Sequence, residues 1–184
     1  MHIAVFCGSS LPRNKEIVEA AAVLGRRIAQ EGHTLVYGGS NLGLMGAVSG
    51  AALEAGGHVV GVIPTLFSEE IILSQPVTEL VRVASMAERK EYLIAHSDAF
   101  VALPGGIGTI DEISEVLVSN QLQIVNNRRA LDGSFLTKPM ILLNLGGYYD
   151  LFIAQLRHIR EAGLMRSEAG LIAAGSVDEI MKLL

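Results

Sequence analysis

The 184-residue chain has no tryptophan, one cysteine and an aromatic content of only 5%. A single cysteine, Cys7, excludes an intrachain disulfide, and its place at the end of an apolar run reads as a small buried residue rather than a nucleophile. Positive charge is not in excess: 14 Lys and Arg face 19 Asp and Glu, for a net charge of −5. With no Lys/Arg run and no interleaved aromatics, this excludes the basic groove of a nucleic-acid binder. Small phosphates stay within reach, because backbone N–H groups hold them without a basic surface. The longest apolar runs, such as PMILLNLGG (139–147), fall short of the ~20 residues that span a bilayer. Met1 leads directly into a strand-like run rather than a basic leader, so a cytoplasmic location and no membrane partner are expected. The five histidines, His2, His33, His58, His96 and His158, have no ligand spacing, and no metal is expected. No repeat, low-complexity tract or linker interrupts the chain, and residues 1–184 read as one domain.

Two common nucleotide signatures are also missing. The first strand-like run ends in GSSLP (8–12) rather than G-x-G-x-x-G, and the glycine turn at 104–109 continues GTI (108–110) with no Walker lysine. Dinucleotide binding and P-loop ATP hydrolysis are therefore disfavoured.

What the chain does have is apolarity and glycine. Half of its residues are hydrophobic, its mean hydropathy is +0.42 and it holds 20 glycines. Short β-rich runs at 2–9, 34–39, 58–64, 79–85, 98–104, 138–145 and 171–176 alternate with helical patterns at 13–31, 43–56, 86–97, 109–125, 150–162 and 177–184. Ser176 with Glu179 three residues on predicts a capping box. Such alternation means an α/β protein, with a mostly parallel sheet of about seven strands and helices on both faces. The polar segment 125–137 reads as a surface loop or extended turn.

In such a sheet, ligands bind outside the carboxyl ends of the strands, near the switch point of the strand order. Three predicted strand ends carry glycine: FCGSS (6–10), YGGSNLGLMG (37–46) and LPGGIGTIDE (103–112). Glycine in the first two also serves tight packing. The third is more specific. Gly105, Gly106 and Gly108 carry no Cβ to keep a ligand off the backbone, and Thr109 opens a helix, so N–H groups and a helix dipole converge on a phosphate. Upstream, Arg89 and Lys90 form a basic pair of the kind that usually faces solvent. Here their helix feeds the strand ending at the glycine turn, and Glu112 lies on the helix leaving it. An arginine and a carboxylate flanking an anion pocket can grip a sugar phosphate and stabilise positive charge at its anomeric carbon.

YGGSNLGLMG, MAERK, SDAFVALPGGIGTIDE and KPMILLNLGGYYD, in this order and spacing, resemble the LOG ("Lonely Guy") family, whose members were long labelled possible lysine decarboxylases. The family's P-G-G-x-G-T-x-x-E is matched from Pro104 to Glu112, and its M-x-x-R-K by Met86, Arg89 and Lys90. The resemblance implies a Rossmann-like three-layer sandwich, a homodimer or larger homo-oligomer with active sites near the interface, and no cofactor. It implies hydrolysis of the bond between purine and ribose 5-phosphate in a purine nucleoside 5′-monophosphate, with Arg89 and Glu112 catalytic. Met86, Lys90, Gly105, Gly106, Ile107, Gly108 and Thr109 would bind substrate, and Glu70 would lie against the base. Helical spacing adds Glu115, three residues beyond Glu112 and close to its face, as a residue standing behind it. Asp111 is expected to stabilise the helix N-terminus. The chain departs from the family at Ser40, Ala87, Val118 and Ser119 and in a longer 125–137 segment, which leaves the preferred N6 substituent open. A different class is an alternative: a nucleotide or phosphorylated-cofactor carrier without turnover. Decarboxylation would need a Schiff-base lysine for pyridoxal phosphate, and only Lys90 lies near the site. The apolar stretch GLMGAVSGAALEAGG (43–57) is expected to bury a face against a partner subunit.

Overall fold

Each β-rich run forms a strand in the computed structural model, which describes residues 1–68, 77–165 and 170–184. The strands are β1 His2–Phe6, β2 Thr34–Tyr37, β3 His58–Pro64, β4 Glu79–Val83, β5 Ala99–Ala102, β6 Met140–Leu143 and β7 Leu171–Ala174. Between and after them lie the helices α1 Lys15–Gln30, α2 Gly43–Glu54, α3 Met86–Ala95, α4 Ile107–Val125, α5 Asp150–Glu161 and α6 Val177–Leu183. The sheet order is β4-β3-β2-β1-β5-β6-β7, and every pairing is parallel, where the sequence predicted a mostly parallel sheet. The chain winds outward from β1 in one direction, then crosses to β5 and winds in the other. The crevice above the β1–β5 boundary is therefore the switch point. Phe6 pairs with Ala102 there, and the Leu103 N–H donates to the Phe6 carbonyl at 3.0 Å, so the chain leaves β1 through Cys7 and β5 through Leu103 at the same level.

Alternation along the strands divides the core. Ile3, Val5, Cys7, Leu35, Tyr37, Val101 and Leu103 face one layer with Leu24 and Ile28 of α1, Val48 of α2 and Ile180 of α6. Ala4, Phe6, Val36, Phe100, Ala102 and Leu142 face the other, with Leu93 of α3, Ile113, Val116 and Leu117 of α4 and Leu156 of α5. A sheet buried on both faces needs this continuous apolarity, which is why the strands read as unbroken hydrophobic runs.

The apolar α2 goes into the chain's own core rather than outward. Leu44, Val48, Ser49, Ala51 and Ala52 are buried, and Gly25 of α1 lies so close to the Val48 carbonyl that a Cβ there would collide with backbone. α1 and the sheet cover that face, while Gly46, Ala47, Gly50 and Leu53 stay half-buried. Ser176 accepts from the Glu179 N–H at 3.2 Å, but the Glu179 carboxylate takes the Gly175 N–H rather than that of Ser176, one residue outside a standard capping box. Ser85 and Glu88 repeat the arrangement before α3, with the Ala84 N–H as donor to Glu88. Segment 125–137 is a surface turn as predicted, closed by an Arg129–Phe135 bridge with the guanidinium 4.0 Å from the ring centroid. Among the described residues no helix is long and apolar enough to cross a membrane.

Candidate active site

The chain leaves β5 through Leu103, Pro104 and Gly105 and enters α4 at Ile107, two residues earlier than the sequence pattern placed it. Gly106 is the N-cap and supplies no side-chain bond to the helix start. The first N–H groups of a helix have no partner within it, so the start of α4 presents donors and the positive end of its dipole to the crevice. The glycines there have separate reasons. A Cβ on Gly105 would strike the buried Thr109 side chain, whereas at Gly106 or Gly108 it would meet nothing within 4 Å. Only the last two leave open space for a ligand. The start of α2 differs: the Leu44 and Met45 N–H groups both donate to the Gly8 carbonyl, at 3.2 and 3.4 Å. That end is already occupied, and its glycines serve packing. Gly43, with φ +58°, lies against the backbone of Ser9 and Ser10.

Beside the α4 start lies the most unusual pair in the protein. Arg89 of α3 and Glu112 of α4 are 7% and 8% exposed, yet Nη2 and Oε1 stand 3.8 Å apart, farther than a direct hydrogen bond. Nη1 of Arg89 reaches the Met86 sulfur at 3.7 Å, and its Nε makes no hydrogen bond among the described residues. Burial raises the Glu112 pKa to about 7, a rise that Arg89 and Lys90 oppose and the neighbouring Asp111 and Glu115 reinforce. A carboxyl group with that proton affinity can accept and return a proton near neutral pH. Burial also pushes the Cys7 thiol well above its usual range, which keeps it protonated and supports the reading of a small core residue.

A cavity of about 460 Å³ joins these features, lined among others by Gly8, Ser9, Met45, Met86, Arg89, Gly106, Gly108, Thr109 and Glu112. Its size is that of an ordinary small-molecule site. Met86, 42% exposed, forms part of the wall. Lys90 also borders the cavity, but its ammonium is held by Asp111 at 2.9 Å and Glu115 at 2.6 Å, contacts that raise its pKa. It ties α3 to α4 while lining the cavity. Glu115 pairs with Lys90 and also bears on the charge of Glu112. One expectation is corrected: Asp111 lies beyond the first turn of α4, too far along to stabilise its N-terminus, and pairs with Lys90. Ile107 is 86% exposed and does not line the cavity, so only its backbone belongs to the glycine turn. Glu70 lies outside the described residues.

The sequence reading missed Gly38 and Tyr148. Gly38, in the turn after β2, abuts the Arg89 guanidinium; its signal was the glycine pair ending an apolar run, which packing alone also explains. Tyr148 lines the cavity and donates its hydroxyl to the Gly105 carbonyl at 2.7 Å, while the buried Tyr149 donates to the Leu103 carbonyl at 2.6 Å. Asn144 accepts from the Tyr149 N–H and donates to Asp150, at 2.7 Å each. The GGYYD segment after β6 thus clamps the β5 turn from the side. Its signal was the tyrosine pair directly after a glycine pair.

The family model described as possible lysine decarboxylase matches residues 45–184. A probable cytokinin riboside 5′-monophosphate phosphoribohydrolase of Oryza sativa subsp. japonica is 44% identical over 152 residues, 83% of this chain; the match spans 62% of that relative's length. A cytokinin riboside 5′-monophosphate phosphoribohydrolase of Arabidopsis thaliana is 39% identical over 184 residues, 99% of this chain and 80% of the relative. Among solved structures, the molybdenum cofactor carrier protein from Chlamydomonas reinhardtii has a TM-score of 0.69 and 25% identity, covering 99% of this chain and 94% of that one.

Proposed function

The chain belongs to the LOG family of phosphoribohydrolases, which the possible-lysine-decarboxylase family model describes, and from that membership we propose that it hydrolyses the N-glycosidic bond of adenosine 5′-monophosphate or an N6-modified form. The carrying observation is the buried Arg89–Glu112 pair beside the uncapped start of α4. The 5′-phosphate sits at the amides of Gly106, Gly108 and Thr109, where helix dipole and open space coincide. This sets the ribose over the pair. Glu112 orients a water molecule and takes its proton as the oxygen bonds to C1′, while its charge stabilises the oxocarbenium-like transition state. The C1′–N electron pair leaves with the purine, which takes a proton on a ring nitrogen. Arg89, whose Nε has no hydrogen-bond partner among the described residues, binds the phosphate or ribose oxygens.

Decarboxylation fits the residues poorly. A Schiff-base lysine must lose its proton and approach a carbonyl, whereas two carboxylates hold Lys90 charged. The alternative of a carrier without turnover draws on the likeness to the molybdenum cofactor carrier protein. A carrier has little use for a buried carboxylate beside an anion site. Incubation with adenosine 5′-monophosphate and with its N6-isopentenyl form separates the two readings: free base and ribose 5-phosphate are expected, and binding without release identifies a carrier. Because the phosphate supplies the main anchoring, adenosine should be a poor substrate. Equal rates on adenosine and its monophosphate would remove the phosphate from the mechanism.

The assembly we propose is a homodimer that covers the outer face of α4. Val118, Leu122 and Val125 are exposed there at the spacing of one helical stripe, on the helix that carries Glu112. Light scattering at micromolar concentration is expected to give twice the chain mass; a fully active monomer would refute the dimer. A cytoplasmic location accords with a nucleotide substrate.

A further inference from the structure

We propose that Gly38 is a positioning residue for Arg89, its missing side chain forming the seat that holds the guanidinium against Glu112. The inference rests on the catalytic roles assigned above to Arg89 and Glu112. It begins from two adjacent glycines that are glycine for different reasons. Gly39 has φ +79°, a conformation that disfavours other residues, whereas Gly38 is not in the left-handed region and its backbone would accept alanine. What excludes a side chain at Gly38 is Arg89. A Cβ built there would fall on Nη2 and come within 2.7 Å of Cζ, with Met45 Cε at 3.2 Å.

The obstructing atoms are the tip of a flexible side chain rather than backbone. At Gly25 and Gly43 a Cβ would meet main-chain atoms of Val48 and of Ser9 and Ser10, and substitution there would disturb the packing of whole elements. At Gly38 the guanidinium would have to move, and the flexible end of Met45 to give slightly. Nothing else among the described residues fixes the guanidinium firmly: its Met86 and Glu112 contacts are 3.7 and 3.8 Å long, and Nε has no hydrogen-bond partner there. Few strong bonds hold this charged group, so the surface beneath it sets its position. That arrangement keeps its donors available to a substrate and makes the shape of the floor decisive.

Charge supplies a readout that a general loss of packing would not move. Among the described residues, the groups facing Glu112 are Arg89 and Lys90 from α3, Asp111 and Glu115 from α4, Cys7 just after β1, and Tyr149 before α5. Arg89 and Lys90 lower its proton affinity, while Asp111 and Glu115 raise it. Lys90 is shared with Asp111 and Glu115, so displacing Arg89 removes the main opposing charge. The acid limb of the kcat/KM profile, which reports the free enzyme, should then move to higher pH.

The experiment compares the parent, Gly38→Ala, Arg89→Ala and the double variant, measuring adenosine 5′-monophosphate hydrolysis across pH and thermal stability. Gly38→Ala is expected to lower kcat by about a hundredfold, the scale of an ångström-sized misplacement, with Tm unchanged and the acid limb shifted upward. In the double variant the methyl group has no guanidinium to displace, so the loss should equal that of Arg89→Ala alone. A parental rate in Gly38→Ala, losses that multiply in the double variant, or a loss with an unmoved limb would each overturn the seat. Parental turnover in Arg89→Ala would overturn the catalytic reading beneath it, which separates the two failures.

Discussion

Replacing Glu112 with glutamine is expected to lower kcat by about a hundredfold or more while making the protein more stable above pH 7. The first effect follows from the role of the charge. Glutamine keeps the shape and one acceptor oxygen but can neither take a proton from water nor offset the positive charge developing on the ribose, and loss of one such stabiliser is worth ~10²–10³ in rate. Adenosine 5′-monophosphate should still bind, because the phosphate amides on α4 are untouched. The second effect follows from burial. The Glu112 carboxyl has a folded-state pKa of about 7 against an ordinary 4.5, so folding favours its neutral form. That contribution is fully present below pH 4.5, declines as pH rises through about 7, and is gone above it. At 1.36 kcal/mol per pKa unit, the charged form costs roughly 3 kcal/mol at high pH. Glutamine, always neutral, escapes that cost. Melting curves at pH 5 and pH 8 should therefore show a larger fall for the parent than for Glu112→Gln. Parental turnover in the variant, or equal falls, would contradict the assignment.

Gly106→Val should abolish substrate binding and leave the fold intact. The Gly106 backbone is at φ −85° and ψ −162°, an extended conformation open to β-branched residues, and a Cβ there meets nothing within 4 Å. The protein therefore tolerates the side chain, but the isopropyl group would project into the space that the phosphate must enter to reach the start of α4. KM is expected to rise at least about a hundredfold, with the melting temperature within a few degrees of the parent. Calorimetric titration with adenosine 5′-monophosphate tests this directly: undiminished affinity would place the phosphate elsewhere. The contrast with Glu112→Gln is the useful one, since one variant binds without turning over and the other cannot bind.

Much of this could be read along the chain because it depends on local chemistry. Strand runs are apolar because both faces of the sheet are covered, and helices alternate with them because parallel strands need a crossover. Ser85 and Ser176 mark helix starts through bonds that span three residues. The glycine turn after β5 announces a ligand-sized opening at a helix start, and the family resemblance rests on that same contiguous motif. The helix boundary was misjudged by two residues because Ile107 and Gly108 are indifferent helix starters that the clamped turn holds in place. With the helix beginning at Ile107, Asp111 lies beyond the first turn, where it pairs with Lys90.

The sequence by itself therefore determined the layered α/β architecture and the residue types at the glycine turn, since periodicity and turn chemistry act over neighbouring residues. Tertiary structure alone decided which distant groups meet. Arg89 faces Glu112 only because β1 and β5 are neighbours at the switch point and α3 and α4 share one face of the sheet. Lys90, one residue from Arg89, points at Asp111 and Glu115 instead, since successive helix positions are turned by ~100°. Gly38 reads like any glycine in a turn until the Arg89 guanidinium is seen to occupy the place of its side chain. Such steric complementarity between segments far apart in the chain leaves no periodic trace, because what dictates the residue at one position is the shape of another that only folding brings beside it.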